Sequence, residues 1–165
     1  MTGVTTYASP LGPLLLAAEA DALTGLWLPG QKYYVASLPA DAAEDPSLPP
    51  LRAAAAWLDA YFAGERPDPR ALKLRPAGSE YRKLIWDLLL DIPCGETTTY
   101  GALAARAEII LGRRTSPRAA GAAVGRNPIS VIIPCHRVLG AGGGLTGYAG
   151  GLEKKEWLLR HEGAI

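Results

Sequence analysis

The sequence predicts an α/β protein with two domains, residues 1–75 and residues 76–165. Three observations carry this prediction. The first part alternates short apolar stretches with turns rich in proline and glycine, which is typical of β-strands. The second part contains amphipathic stretches preceded by Ser or Thr, which is typical of capped helices. The two patterns meet at Pro76-Ala77-Gly78, which we take as the boundary.

The N-terminal domain is predicted to combine short strands with one helix. Residues 4–8, 14–18 and 23–28 are apolar stretches of strand length. Residues 50–63 show the spacing of an amphipathic helix, and residues 70–75 are predicted as a further strand. This domain carries no pattern of chemically active residues, so we expect its role to be structural.

The C-terminal domain is predicted to be mainly helical. Ser79 precedes a first helix, and Thr97-Thr98-Thr99 precedes a second helix over about residues 100–107. A third helix is predicted over about residues 116–124. Two short helices joined by a turn, the latter rich in small residues, are consistent with a helix-turn-helix, although many helical pairs share this pattern.

The remainder of the second domain is predicted to hold a buried strand, a loop and a helix. Residues 129–133 are apolar and are predicted to be extended and buried. Residues 140–151 contain seven glycines and are predicted to form a loop. Residues 152–162 are predicted as a final helix that directs Trp157 and Leu158 inward.

Composition excludes several classes of protein. Hydrophobic residues make up 48% of the chain and charged residues 20%, which supports a buried core and argues against disorder. The apolar stretches are too short to cross a membrane, and no export signal is visible, so we expect a cytoplasmic protein. Cys94 and Cys135 are then expected to be free thiols. Because the two cysteines and two histidines lack the paired spacing of a zinc site, no metal is expected.

The net charge of +1 conceals an asymmetry between the domains. Residues 1–75 contain six Lys/Arg and eight Asp/Glu, whereas residues 76–165 contain eleven and eight. Residues 113–126, which include the third C-terminal helix, contain four arginines and no acidic residue: Arg113, Arg114, Arg118 and Arg126. They are either a solvated surface or a local patch for salt-sensitive contact with nucleic acid.

Cys135 is the strongest candidate for a chemical role. A free cysteine that follows an apolar stretch is often only a small buried hydrophobic residue. Here, however, His136 is adjacent, and an imidazole can accept the proton of a thiol to give the nucleophilic thiolate. Neighbouring side chains diverge, so His136 has to reach the thiol across a turn or through one water. Glu162 of the last helix is a candidate to orient the imidazole.

The motif Ile133-Pro134-Cys135-His136-Arg137-Val138 resembles the active-site motif of the O6-alkylguanine-DNA alkyltransferases, also called methylated-DNA–protein-cysteine methyltransferases. The resemblance continues through Gly125-Arg126-Asn127-Pro128 and Gly147-Tyr148-Ala149-Gly150-Gly151-Leu152. It covers nearly the whole chain and is densest over residues 97–163. It implies a ribonuclease-H-like N-terminal domain and a winged-helix-like C-terminal domain that contains the helix-turn-helix.

The resemblance also implies an activity: one irreversible transfer of a methyl or other alkyl group from O6 of guanine in double-stranded DNA to Cys135. The O4 atom of thymine is a second candidate alkyl donor. No cofactor is required, and we expect a monomer. His136 and Glu162 correspond to a relay that deprotonates the thiol through water. Asn127 corresponds to a brace of the active-site turn, and Tyr100 to the tyrosine that turns the nucleotide and donates a proton to guanine.

Further residues are implied to bind DNA or to enclose the base. Arg118 is similar to the arginine that fills the gap left by the rotated base. The small residues Ala119, Ala120 and Gly121 are implied to permit close approach to the minor groove. The implied pocket comprises Tyr100, Val124, Val138, Tyr148, Ala149, Gly150 and Lys155.

The chain departs from the family pattern in residues 106–117, which are longer than expected and which carry Arg113 and Arg114 as candidate phosphate contacts. Three alternatives remain open at this point. A sensor of DNA lesions would lack Cys135; a Cys-His hydrolase would turn over without DNA; a helix-turn-helix regulator would bind a specific DNA sequence without any reaction. Cys94 has no base nearby in the sequence and is predicted to be structural.

Overall fold

The structure is a computed structural model that describes all residues from Met1 to Ile165. The chain forms two compact units. One comprises Met1–Ala77 together with Pro128–Ile132, and the other comprises Gly78–Asn127 together with Ile133–Ile165. None of the helices has the length and apolar character needed to cross a membrane.

The first unit is a four-stranded sheet with a helix packed against it. Ser9 ends the first strand and pairs with Gly12, whose φ of +95° suits the tight connection to the second strand. Alternate residues of the second strand, such as Leu14 and Leu16, are fully buried, as expected for a sheet with one face on the core. The elements are β1 (Thr2–Ser9), β2 (Gly12–Glu19), β3 (Ala22–Trp27), β4 (Ala43–Glu44) and α1 (Pro49–Phe62), with sheet order β3-β2-β1-β4.

Two sequence predictions for strands are wrong. Residues 70–75 are not a strand: Pro69–Ala71 is a 3-10 turn capped by Asp68, and only Leu74 makes a bridge to β3. The stretch around residues 129–133 is buried as predicted but is not extended, because Val131 has a φ of +69° and turns the chain.

Pro128–Ile132 belongs to the first unit, although no feature of the sequence separates it from the second domain. The amide of Leu26 in β3 donates to the Pro128 carbonyl, at 2.8 Å, and the amide of Ser130 donates to the Leu26 carbonyl, at 3.0 Å. These hydrogen bonds satisfy backbone groups of β3 that would otherwise be buried without partners.

The second unit is mainly helical, as predicted. Each of the first three helices begins after a residue whose side chain accepts from a backbone amide of the first turn: Ser79, Thr99 and Ser116. The first strand of a short parallel pair leads directly into the second helix. The elements are α2 (Glu80–Leu89), β5 (Thr98–Thr99), α3 (Tyr100–Leu111), α4 (Pro117–Gly125), β6 (Val138–Leu139) and α5 (Leu152–His161).

Two details of these helices differ from expectation. α3 continues one turn beyond residue 107 and ends at Gly112, which adopts the left-handed conformation common at helix ends. In α5, Leu158 and Leu159 are buried, whereas Trp157 is only half-buried and stacks on His161. The prediction that Trp157 points into the core is therefore wrong.

Candidate active site

Cys135 lies in a 3-10 turn, Cys135–Arg137, and only 4% of its surface is exposed. The buried side chain of Asn127 donates from Nδ2 to the Ile133 carbonyl at 2.9 Å. That carbonyl also accepts from the Cys135 amide at 2.8 Å. Asn127 thus joins the end of α4 to the turn that carries the thiol, and it fixes the sulfur relative to that helix.

Burial raises the pKa of the Cys135 thiol. Hydrogen bonds from the side chains of Asn127 and Tyr148, and the positive charge of Lys155, act in the opposite direction. The thiol is therefore protonated at neutral pH and surrounded by groups that favour its anion. Such a thiol needs a nearby base in order to react as a nucleophile.

His136 supplies an imidazole that is fully buried and held by a carboxylate. Its Nε2 lies 2.6 Å from Oε2 of Glu162, which is also buried. The sequence placed Glu162 on the last helix without showing that the two residues meet, and the structure brings them together. Nδ1 of the imidazole is buried and has no hydrogen-bond partner within the protein, so this nitrogen remains able to accept a proton.

Arg137 belongs to the motif around Cys135, but the sequence assigned it no role in the site. Its Nε donates to Oε1 of Glu162 at 2.7 Å, and its Nη2 donates to Oε2 at 3.2 Å. Its Nη1 donates to the Ile92 carbonyl at 2.6 Å. The available signal was an arginine placed between two apolar stretches, residues 129–133 and Val138-Leu139. Such a position favours burial, and a buried guanidinium requires an anionic partner.

Burial and the ion pair shift the protonation of this cluster. Burial lowers the pKa of His136 and outweighs the opposing effect of Glu162, so the imidazole is neutral at neutral pH. Burial alone would raise the pKa of Glu162, but His136 and Arg137 together hold it well below its ordinary value. A neutral imidazole beside an ionised carboxylate is the state in which histidine acts as a base.

Lys155 in α5 and Glu162, just after its last residue, are seven residues apart and so lie on the same side of the helix. Both side chains therefore face the active site. Lys155 is fully buried. Its Nζ donates to the carbonyls of Val138 at 2.6 Å, Thr146 at 2.7 Å and Gly147 at 3.1 Å. Burial lowers its pKa to about 8.

A cleft of about 520 Å³ opens between α3, α4 and the loop of residues 140–151. Tyr100, Arg118 and Gly121 are on its walls, and so are Thr146 and Gly147 of the loop. Cys135 does not line it. The Tyr100 hydroxyl lies 3.3 Å from the Thr146 carbonyl and 3.4 Å from that of Gly147. Burial, and then the nearby Cys135, raise the pKa of Tyr100.

The other candidate pocket residues are divided between the loop and the core. Tyr148, Ala149 and Gly150 are half-buried in the loop, and Tyr148 contacts the thiol. Val124 and Val138 are buried in the core of the second unit, and neither lines the cleft. Their role in the pocket therefore stays a prediction.

The candidate DNA-binding residues lie in the turn before α4, within α4, and just after its end at Arg126. Five of them are exposed, and Gly121 is half-buried on the wall of the cleft; the exposed residues are Arg113, Arg114, Arg118, Ala119 and Arg126. Ala120 is fully buried, because it shares the inner face of α4 with Ala123 and Val124. Its side chain faces the core and not the surface that a duplex would approach, and its part in DNA binding stays a prediction. Cys94 is a half-buried free thiol.

No group of three or more His, Cys, Asp or Glu side chains is arranged to hold a metal ion. A thiol, an imidazole and a carboxylate are placed for nucleophilic attack by sulfur, with Tyr100 as a hydroxyl donor at the cleft.

Both parts of the chain match known protein families. Residues 4–76 match the 6-O-methylguanine DNA methyltransferase ribonuclease-like domain, and residues 80–164 match the 6-O-methylguanine DNA methyltransferase DNA binding domain. The chain is 43% identical over 159 residues to the methylated-DNA–protein-cysteine methyltransferase of Methanosarcina acetivorans, covering 96% of each chain. It is 43% identical over 157 residues to that of Mycobacterium leprae, covering 93% of this chain and 88% of the relative.

Solved structures extend the match to three dimensions. The crystal structure of Mycobacterium tuberculosis OGT in complex with DNA superposes with a TM-score of 0.84 at 39% identity, covering 98% of this chain and 93% of that one. These matches confirm the predicted α/β fold, with a ribonuclease-like domain followed by a helical domain. The chain belongs to the 6-O-methylguanine DNA methyltransferase family.

Proposed function

We propose that the protein repairs alkylated DNA by moving a methyl or other alkyl group from O6 of guanine to its own Cys135. The observation that carries the proposal is the 2.6 Å contact of His136 with Glu162 directly behind the turn that presents the thiol. Family membership supports the reaction, because relatives at 43% identity are methylated-DNA–protein-cysteine methyltransferases.

The reaction is a displacement at a saturated carbon. The Cys135 proton passes to the free Nδ1 of His136, through one water, and Glu162 stabilises the imidazolium that results. The thiolate attacks the alkyl carbon, a carbon–sulfur bond forms, and the bond from that carbon to O6 breaks. Guanine leaves with the electron pair and takes a proton from Tyr100. These steps leave His136 as an imidazolium and Tyr100 as a tyrosinate. The proton on His136 then returns to the Tyr100 oxygen through water, so that the net transfer moves one proton from the thiol to guanine.

The product limits each molecule to one reaction. A thioether has no good leaving group, so water does not restore the thiol. The protein is therefore consumed by the repair, with one alkyl group accepted per chain. No cofactor takes part, and the chain acts as a monomer in the cytoplasm, where free thiols such as Cys94 and Cys135 persist.

The DNA has to present its damaged base to the cleft. A base inside a duplex cannot reach a buried sulfur, so the nucleotide rotates out of the stack. Arg118 stands at the first turn of α4 and on the wall of the cleft, where it fills the gap left in the duplex. Arg113 and Arg114 are exposed on the turn just before α4 and contact phosphates. The crystal structure of the Mycobacterium tuberculosis relative contains DNA.

The test is intact-mass analysis after incubation with duplex DNA that carries O6-methylguanine. We expect one methyl group per chain, located on Cys135 by peptide mapping. Cys94→Ser is the matched control and should accept the methyl group as the unmodified protein does, whereas Cys135→Ser should accept none. Repeated turnover, a methyl group on another residue, or no adduct on the folded protein would refute the proposal.

A further inference from the structure

The loop of residues 140–151 is held by two side chains at the same pair of carbonyl groups. Lys155 donates to the carbonyls of Thr146 and Gly147 at 2.7 and 3.1 Å, and the Tyr100 hydroxyl lies 3.3 and 3.4 Å from the same oxygens. Hydrogen bonds from a charged donor are roughly twice as strong as neutral ones. The contacts of Tyr100 are therefore the ones that exchange more easily.

The third N–H group of Lys155 ties the loop to the active-site turn. It donates to the Val138 carbonyl at 2.6 Å, and the Val138 amide donates to the carbonyl of Cys135. All three donors of the ammonium group are thus occupied by backbone carbonyls. Lys155 joins the loop to the backbone that carries the nucleophile.

The loop has little rigidity of its own. It contains seven glycines, and Gly142 and Gly143 have φ values of +85° and +83°. Glycine has more conformational freedom to lose than any other residue, so a glycine-rich segment needs external contacts to stay in place. Within the loop, backbone hydrogen bonds join Gly140 to Gly144 and Gly143 to Gly140.

We propose that Lys155 is a positioning residue that holds the loop of residues 140–151 in place while Tyr100 leaves it to engage the incoming base. The proposal rests on the proposed function, since it concerns how a guanine enters. The cleft is lined by Tyr100, Thr146 and Gly147 but not by Cys135, so a base that reaches the thiol has to displace Tyr100 from the loop. Lys155 keeps both loop carbonyls bonded when that happens.

Protonation of Lys155 sets the strength of this anchor. Its pKa is lowered to about 8 by burial, and the groups that face it are Cys135 and His136 of the active-site turn and the ring of Tyr100, 6.0 Å from Nζ. Above pH 8 the neutral amine keeps two N–H donors for three carbonyls. One carbonyl then loses its donor, and the loop is held less firmly.

The experiment compares Lys155→Met with Lys83→Met, a matched control at an exposed lysine of α2. Three rates are measured: methyl transfer from duplex DNA, labelling of Cys135 by iodoacetamide with Cys94 as internal reference, and hydrogen–deuterium exchange of residues 140–151. For K155M we expect methyl transfer to fall at least tenfold while exchange of the loop rises at least fivefold. Labelling of Cys135 is compared with that in Lys155→Arg, because loss of the Lys155 charge by itself disfavours the thiolate. K83M should match the unmodified protein in all three.

Tyr100→Phe separates the anchor from the exchangeable contact. With Lys155 intact, Y100F should leave loop exchange within twofold of the unmodified protein. In K155M/Y100F, loop exchange should exceed the product of the two single effects, because the two side chains share the same carbonyls. Lys155→Arg retains a charged donor and should restore most of the loop protection.

Slower methyl transfer with unchanged loop exchange would overturn the proposal, because Lys155 would then act on the thiol or on the base itself. This result differs from failure of the proposed function, in which the unmodified protein forms no adduct. If K155M does not fold, the unmodified protein provides the test. Hydrogen exchange of residues 140–151 is corrected for its intrinsic pH dependence and compared with that of α2. The protection of the loop amides should fall at least fivefold between pH 7 and pH 9, and constant protection would overturn the proposal.

Discussion

Glu162→Gln removes the carboxylate that the buried side chains of His136 and Arg137 share. Glu162 accepts from Nε and Nη2 of Arg137 at 2.7 and 3.2 Å and lies 2.6 Å from His136. A neutral amide offers one oxygen in place of two, and its NH2 group turns a donor toward other donors. Arg137 is left as a buried charge with no anionic partner, held by the Ile92 carbonyl and by at most one neutral amide oxygen.

Breaking a buried ion pair from one side costs about 3–5 kcal/mol of unfolding free energy, because the remaining charge is uncompensated. For a chain of this size that corresponds to a fall in Tm of roughly 10 °C. The imidazole also loses the group that orients it, so methyl transfer should slow by about 100-fold. Thermal unfolding by circular dichroism and single-turnover kinetics measure the two effects.

Glu156→Gln is the matched control, since Glu156 is on the same helix and pairs with Arg160 at 2.9 Å with its side chain 44% exposed. An exposed pair of this kind contributes less than about 1 kcal/mol, so E156Q should leave Tm and the transfer rate almost unchanged. The double variant R137M/E162Q should be more stable than E162Q alone, because it removes the unpaired guanidinium.

Stability should also depend on pH in a defined direction. The pKa of Glu162 in the folded protein is held below its ordinary value of 4.5, so the carboxylate stabilises the fold above that pH and loses this effect as the pH falls. The difference in unfolding free energy between the unmodified protein and E162Q should therefore become smaller below pH 4.5. A difference in unfolding free energy under about 1 kcal/mol at pH 7, or one that stays constant in acid, would contradict the stabilising role of the Glu162 carboxylate.

Three further predictions concern α4 and the residues at its two ends. Asn127→Ala removes a buried hydrogen bond at the nucleophile's turn, so unfolding should become about 1–3 kcal/mol easier by denaturant titration, and the pH–rate profile of methyl transfer should shift to higher pH. Gly121→Ala places its new methyl group at ordinary contact distance from an aromatic ring, so stability should rise by about 0.5 kcal/mol, whereas affinity for DNA measured by fluorescence anisotropy should fall; a variant that binds as well as the unmodified protein would contradict close approach at this position. Replacing both Arg113 and Arg114 by alanine should reduce the slope of log Kd against log salt by about 1 to 2, with Arg52→Ala of the first unit as a control that leaves the slope unchanged.

The local elements were largely predictable because their causes are local. Ser79, Thr99 and Ser116 each cap a helix through a contact three residues away, so the helix starts are visible in the sequence. The turn at Val131 was not predictable, since an apolar, β-branched stretch favours an extended chain. A β-branched residue at φ +69° is strained and persists only where surrounding packing imposes it, and Val131 is fully buried.

Within the site, residue identity and residue role came from different sources. The motif around Cys135 and the resemblance it carries indicated the nucleophile and the adjacent base. Arg137 was missed, although it is as buried as its neighbours, because its importance depends on a carboxylate 25 residues away. The burial of Ala120 was accessible to helical periodicity, which places it with Ala123 and Val124 on one face of α4.

From the sequence alone came the reactive sulfur, the base beside it, and the helices with their caps, including α5, whose inner face carries Lys155 and which ends beside Glu162. Only the tertiary structure decided what that face meets: the imidazole and guanidinium at one end, and the carbonyls of a glycine-rich loop at the other. The physical reason is that spacing along one helix fixes directions within it, whereas contacts between separate segments depend on how the whole backbone packs.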